Sequence, residues 1–368
     1  MTRNPHVDVL RGAAIAAVLL LHFALAFGLK DSPLGTLLGP DLVRALVLNG
    51  NFGVTVFFVI SGYLITANSL ARWGSLARID ARAFYLARAR RILPPLLLAL
   101  AVIVVLGCAG VPYFDNSDAE PALPASFFVL GAGSVLTFWH NVLMQSAGYF
   151  NYCLNIYWSL SVEEMFYLLL PPAGLLLRRT WAFVLLCAAA IVAGPLYRAH
   201  HAGNELYFMY GYLACFDAIA IGCLTALLAR RLASPLPSAR ALRWIACIVL
   251  AAVYLRGIRG HEAFGFTWIA LAAALFLLAA AGARPDSPGI GAGPVLAPLR
   301  WMGRHSYELY LFHIIVLALL RNMFERGDVA YAGRLPLLAG FVAASALVAF
   351  GAQRLFRSTG RSGSPGPA

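Results

Sequence analysis

Residues 13–27 read AAIAAVLLLHFALAF, an apolar run interrupted by a single titratable group, His22. A helix that crosses a bilayer needs about 20 mostly apolar residues, and the run extends to that length over 9–28. Arg11 stands near its start. The eleven-residue gap is about three helical turns, so both side chains share a face about 16 Å apart. Ionisable groups at membrane depth are costly and mark candidate functional sites. A cation at the membrane surface and an imidazole within it suggest anion anchoring at one end and proton chemistry inside. The run lacks a small-x-small cleavage pattern and reads as a retained helix rather than a signal peptide.

The whole chain follows this lead. Of its 368 residues 61% are hydrophobic and 12% charged, and the mean hydropathy is +0.77. A soluble domain is nearer half apolar and about a quarter charged. The expected fold is an all-α, polytopic membrane bundle over 1–357, with a disordered Gly/Ser/Pro tail over 358–368. The net charge of +12 is almost all arginine, with Lys30 the one lysine. These arginines sit in short loops between apolar runs, which membrane orientation explains better than nucleic-acid binding.

Eleven apolar runs are candidate spans: 9–28, 51–69, 92–111, 126–145, 157–177, 181–197, 206–229, 241–255, 264–281, 299–320 and 335–355. Loop charge decides between ten and eleven. If 126–145 does not cross and the amino terminus is cytoplasmic, 20 of the 28 basic residues face the cytoplasm, among them Arg3, Arg88, Arg91, Arg230, Arg284 and Arg304. If it crosses, most of those arginines move outside. The positive-inside rule therefore favours ten spans, both termini cytoplasmic, and 126–145 re-entrant or at the outer surface. The basic stretch 71–91 reads as an interfacial amphipathic helix. The six cysteines have no CxxC spacing and read as small buried hydrophobes, and no metal motif is present.

Four further constellations carry chemistry. In FYLARARRILPP (84–95), Arg88 and Arg91 share a helix face just before a span broken by Pro94 and Pro95. Paired guanidiniums suit phosphate, although on charge alone a positive-inside anchor against anionic lipid is the plainer reading. In YWSLSVEEMFY (157–167), Glu163 and Glu164 are adjacent, so one of them keeps its proton or has a cationic partner. Ser161 with Glu164 also fits a capping box. Ser306, Tyr310 and His313 share one helix face, with Arg304 four residues before Glu308 as a helix-end ion pair. Asp217, near mid-span, needs a partner on another helix or stays protonated.

At these residues the chain resembles the acyltransferase-3 family of membrane O-acyltransferases. The matching pieces are LRGAAIAAVLLLH (10–22), FFVISGYLIT (57–66), RARR (88–91), YWSLSVEEMFY (157–167), FDAIAIGCL (216–224) and MGRHSYELYLFH (302–313), in family order. The resemblance implies a bacterial inner-membrane enzyme. It moves an acyl group, usually acetyl, from cytoplasmic acyl-CoA to a hydroxyl of a cell-surface or lipid-linked carbohydrate. Acyl-CoA would be a co-substrate, and no bound cofactor is implied. The family's arginine–histidine motif falls on Arg11 and His22, its arginine-x-x-arginine motif on Arg88 and Arg91, and its serine–glutamate signature on 159–164. Members often carry a fused esterase-like domain, and this sequence ends without one. Met165 replaces the usual glutamine, Gln353 a common glutamate, and Cys215 an arginine that often precedes the aspartate matched by Asp217.

The expected site has His22 as general base, oriented by Glu163 or Glu164, with Arg88, Arg91 and Arg11 on the CoA phosphates. Ser61, Tyr157, Trp158, Tyr310 and His313 are candidates for the acceptor pocket. A covalent acyl-histidine is an alternative route. Two rival classes are a carrier or flippase of a lipid-linked sugar, with His22 and Asp217 as a proton relay, and a non-catalytic membrane subunit of a polysaccharide assembly complex.

Overall fold

The computed structural model describes residues 4–232, 238–282 and 293–361. Ten helices of 17 residues or more run through it: α1 (Pro5–Phe27), α2 (Asn51–Trp73), α3 (Ala81–Cys108), α4 (Trp158–Leu177), α5 (Thr180–His200), α6 (Tyr212–Arg230), α7 (Ala239–Arg256), α8 (Gly265–Ala281), α9 (Ser306–Met323) and α10 (Arg334–Arg361). Shorter helices join them, and no strand occurs among the described residues. Seven of the ten, α1 to α6 and α10, are long and apolar enough to cross a membrane. The 17-residue α8 is apolar but shorter. In α7 lie Arg240, Arg243 and Arg256, and in α9 lie Glu308 and Arg321. Every residue of 309–318 in α9 is buried. That helix is wrapped by protein rather than lipid, so its composition need not match hydrocarbon. The all-helical membrane bundle expected from composition is the fold observed.

The centre is held by close backbone approach. A Cβ on Gly62 of α2 would lie 2.1 Å from the Ile219 carbonyl oxygen of α6, and one on Gly222 of α6 would lie 2.1 Å from that of Val59. Gly12 of α1 meets Leu299, and Gly303 meets Asp8, in the same way. Small residues at such crossings let helices associate where the hydrophobic effect gives little help.

Several expectations need correction. The stretch 71–91 is not a separate interfacial helix. Gly74, at φ 77°, ends α2, and Asp80 starts α3 by accepting a hydrogen bond from the Ala83 N–H at 3.0 Å. Its arginines are thereby divided: Arg72 lies in the last turn of α2, Arg78 lies in the turn between, and Arg82, Arg88, Arg90 and Arg91 belong to α3. Pro94 and Pro95 do not break α3, which continues for 28 residues. A proline removes one N–H and leaves the carbonyl four residues earlier without its helical partner. In α4, Pro171 and Pro172 release the carbonyls of Tyr167 and Leu168, and the Tyr85 hydroxyl donates to Leu168 O at 2.9 Å. The run 299–320 is two helices, Ala297–Arg304 and α9, divided at His305. Arg304 and Glu308 therefore do not sit one turn apart on a single helix. Helix α10 continues through 358–361, where a disordered tail was expected; 362–368, with Arg3 and Arg284, lie outside the described residues.

The segment 126–145 forms two short helices, Phe127–Leu136 and His140–Ala147, interrupted at Phe138, whose φ is 66°. Ten helical residues rise about 15 Å, half of the hydrocarbon thickness. The freed backbone is satisfied internally: Trp139 N–H donates to Ser134 O at 3.0 Å, and the Tyr212 hydroxyl donates to Phe138 O.

Candidate active site

The polar groups of the bundle line three cavities in file. The first, of about 1180 Å³, opens at the end carrying Arg11, Arg90, Arg91, Arg230 and Arg304, here called the basic end. It shares Arg11, Arg91 and Tyr307 with a narrow middle cavity of about 120 Å³. The middle cavity shares Val54 and Tyr310 with a third, at the far end, of about 840 Å³. Small-molecule sites commonly occupy about 300–1,000 Å³.

His22 lines the far cavity. Its Nδ1 lies 2.9 Å from Val18 O and 3.3 Å from His313 Nε2. His313 is fully buried, and its Nδ1 lies 2.9 Å from Tyr310 O and 3.0 Å from Leu309 O. A carbonyl oxygen only accepts, so the proton of neutral His313 is on Nδ1 and its Nε2 is an acceptor. His22 Nδ1 then faces two acceptors and must carry the proton itself. The lone pair of neutral His22 is left on Nε2, the form a general base requires. The imidazole is oriented by a backbone carbonyl and by His313, not by a glutamate as expected.

The glutamates sit in the middle cavity instead. Glu163 Oε1 accepts from Ser61 Oγ at 2.7 Å and from the Tyr167 hydroxyl. Tyr167 follows Glu163 by four residues on α4, so helical spacing alone brings the two together. Glu164 is buried, and its Oε1 has no hydrogen-bond partner; the same holds for Nε of Arg88, which lines the same cavity. An unmatched carboxylate oxygen and an unmatched guanidinium N–H beside one cavity are a polar surface that a bound molecule can complete. The capping box does not form. Helix α4 starts at Trp158, and Ser161 Oγ accepts from the His140 N–H at 3.1 Å.

Arg11 lies at the junction of the first two cavities and donates to Ser306 Oγ from Nε at 3.1 Å and Nη2 at 2.8 Å. Arg91 lines both cavities, whereas Arg88 lines only the middle one. Tyr310 closes the middle cavity from the far one. Its hydroxyl donates to Ile156 O at 2.8 Å and lies 2.5 Å from Ser159 Oγ. Of the five residues expected at an acceptor pocket, Trp158 and Tyr310 line the far cavity and Ser61 the middle one. Tyr157 is buried behind the wall, donating to Leu311 O at 3.1 Å, and His313 backs His22. Sequence reasoning passed over Arg90, Arg230 and Tyr307 as cavity residues. Each comes from a helix whose facing is set only by packing.

Asp217 has its partner. Arg198, fully buried on α5, holds it with Nη2 at 2.7 Å and Nη1 at 3.1 Å, while Thr267 of α8 donates to it at 2.7 Å. The arginine missing at Cys215 is supplied from the neighbouring helix. The pair lines none of the three cavities and ties α5, α6 and α8 together.

Comparison with known proteins places the chain in a family. The acyltransferase-3 family model, described as an acyltransferase domain, matches residues 4–353. YrhL of Bacillus subtilis is 30% identical over 313 residues, 76% of this chain and 46% of that protein. The O-acetyltransferase OatA of Staphylococcus aureus is 24% identical over 88% of this chain and 52% of its own length. The peptidoglycan O-acetyltransferase OatA of Listeria monocytogenes is 26% identical over 87% of this chain and 50% of its own. The chain thus spans about half the length of these curated relatives. No solved structure matches it. With the family match running from the start of α1 into α10, across every helix that lines the three cavities, the chain belongs to the acyltransferase-3 family, as an acyltransferase domain built into a membrane bundle.

Proposed function

We propose that the chain transfers an acyl group, acetyl in the first instance, from acyl-CoA at the basic end to a hydroxyl of a cell-envelope carbohydrate in the far cavity. The observation that carries this reading is the single file of cavities, with arginines at one end and the open Nε2 of His22 at the other. The relatives' names point to peptidoglycan as the acceptor class.

The donor's phosphates lie among Arg11, Arg90, Arg91, Arg230 and Arg304, where planar forks match phosphate oxygens in pairs. The narrow middle cavity admits a thin pantetheine arm and a small acyl group. Arg88 and Glu164 offer it their unmatched polar atoms. The acceptor sugar lies against Trp158, Tyr149 and Tyr210 in the far cavity, which also presents Asp41, Arg44 and Glu262 for hydroxyl groups. His22 Nε2 takes the hydroxyl proton as the sugar oxygen attacks the thioester carbonyl. The C–S bond breaks, and the same proton passes to the thiolate, which leaves as CoA thiol. Tyr310 must move aside, or the arm pass along it, for carbonyl and imidazole to meet.

Purified protein incubated with labelled acetyl-CoA and a glycan acceptor tests this. His22→Ala, checked for unchanged expression and monodispersity, should lower transfer by about 10²–10⁴-fold, the range of general-base catalysis. Normal transfer by that variant sinks the assignment. A carrier would leave the thioester intact, and Asp217, held by Arg198 and Thr267, is poorly placed for that alternative's proton relay.

A further inference from the structure

A second hollow at the basic end, of about 530 Å³, lies where three helices finish. Its walls are the segment after α2 (Gly74, Ser75, Leu76, Ala77), the α4–α5 turn, and the last turns of α6. Four guanidinium-bearing residues line it, Arg178, Arg179, Arg230 and Arg231, and no carboxylate does. One of the four is engaged: Arg230 Nη1 donates to Gly74 O at 2.7 Å, which caps α2. The guanidiniums of Arg178, Arg179 and Arg231 have no hydrogen-bonded or ion-paired partner among the described residues. Helix α5 opens into this space with no side-chain cap and no acidic residue in its first turn. Its free N–H groups and the positive end of its dipole add to the field. Four exposed guanidiniums line one hollow whose walls supply no counter-charge, a field that favours an anion.

Apart from Ser75 and Thr180, the rest of the lining is apolar or glycine, with Leu177, Phe183, Val184, Leu224, Leu227 and Leu228. It continues onto exposed side chains of the same helices, Leu176 at 81%, Trp181 at 65% and Leu185 at 59% exposure. On a membrane bundle these are lipid-facing, and Trp181 marks headgroup depth. The site therefore asks for one molecule with an anionic head and apolar chains beside it. A nucleotide phosphate has no such chains, and a zwitterionic lipid brings its own cation.

We propose that this hollow binds an anionic phospholipid, with its phosphate among Arg178, Arg179 and Arg231 and its chains along Trp181 and Leu185 of α5. The lipid braces the ends of α2, α4, α5 and α6. The proposal is independent of acyl transfer, because its readout is lipid retention.

The full chain, purified in detergent, is titrated with phosphatidylglycerol, phosphatidylcholine and inorganic phosphate. Bound lipid is counted by native mass spectrometry, and melting temperature is followed in parallel. Phosphatidylglycerol should be retained and should raise the melting temperature. In Arg178→Gln/Arg231→Gln its affinity should fall about tenfold, with binding recovered in Arg178→Lys/Arg231→Lys. Arg72→Gln/Arg82→Gln, which removes the same charge elsewhere at this end, should bind as the unmodified chain does. Equal retention of phosphatidylcholine, equal loss in both glutamine variants, or full stabilisation by inorganic phosphate alone would each overturn the assignment.

Discussion

His22 and His313 form a pair whose hydrogen-bond directions are set by backbone carbonyls. The anchor carbonyls of Leu309 and Tyr310 fix the His313 tautomer, and that tautomer in turn fixes His22. His313 therefore acts by positioning. His313→Ala should lower kcat with little change in the KM for acyl-CoA, since the donor site lies at the other end of the file. His313→Gln, whose amide can still accept from His22 Nδ1, should restore part of the rate. A loss shared equally by KM and kcat, with no rescue by glutamine, would assign His313 to packing alone. Glu164 raises a similar question. If its unmatched oxygen meets the donor arm, Glu164→Gln should weaken acyl-CoA binding by about tenfold while leaving the melting temperature near that of the unmodified chain.

At the scale of elements, the α2–α6 crossing and the broken pair over 126–147 do the positioning. Gly62→Val would drive a side chain into the Ile219 carbonyl, and overpacking of this kind costs about 1–3 kcal/mol. The variant should show a lowered melting temperature and a smaller monodisperse fraction on size exclusion. His140, in the second short helix, is fully buried with Nε2 unpartnered, and burial pushes its pKa down to about 4. Unfolded, the same ring titrates near 6.5. Between those values the unfolded chain binds a proton that the folded chain refuses. The contribution of His140 is thus complete above pH 6.5 and is lost as pH falls toward 4. Melting temperature should drop over that window, and His140→Asn should flatten the drop. An unchanged slope would mean that other groups govern acid lability.

For the whole molecule, the basic end is the one expected to face the cytoplasm. Ser75→Cys should be labelled by an impermeant thiol reagent only after cells are opened, and Ser117→Cys in intact spheroplasts, both in a Cys108→Ser background. The reverse pattern would invert the bundle and place the donor cavity on the wrong side for cytoplasmic acyl-CoA. The cavity map also fixes which arginines to compare. Arg230 lines the first cavity, so it is not a neutral control. Arg88→Ala/Arg91→Ala should weaken acyl-CoA binding about tenfold or more, and Arg78→Ala/Arg82→Ala, equally basic but off the cavities, should not.

The sequence by itself determined that this is a helical membrane protein, which family it belongs to, and that Arg11, His22, Glu163 and Glu164 are polar groups set into apolar helices. Hydrophobic length and helical spacing are local properties and can be read along the chain. The irregular character of 126–145 was legible too, in its glycines and polar residues, and the structure forms two short helices there. Tertiary structure alone decided that His313 rather than a glutamate meets His22, that Arg198 answers Asp217, and that Glu163 and Arg88 share a middle cavity. Those partners lie on different helices, and how each helix is turned about its axis depends on how glycines, prolines and neighbouring backbones let them approach. That rotation is a property of the packed bundle, and no stretch of sequence carries it.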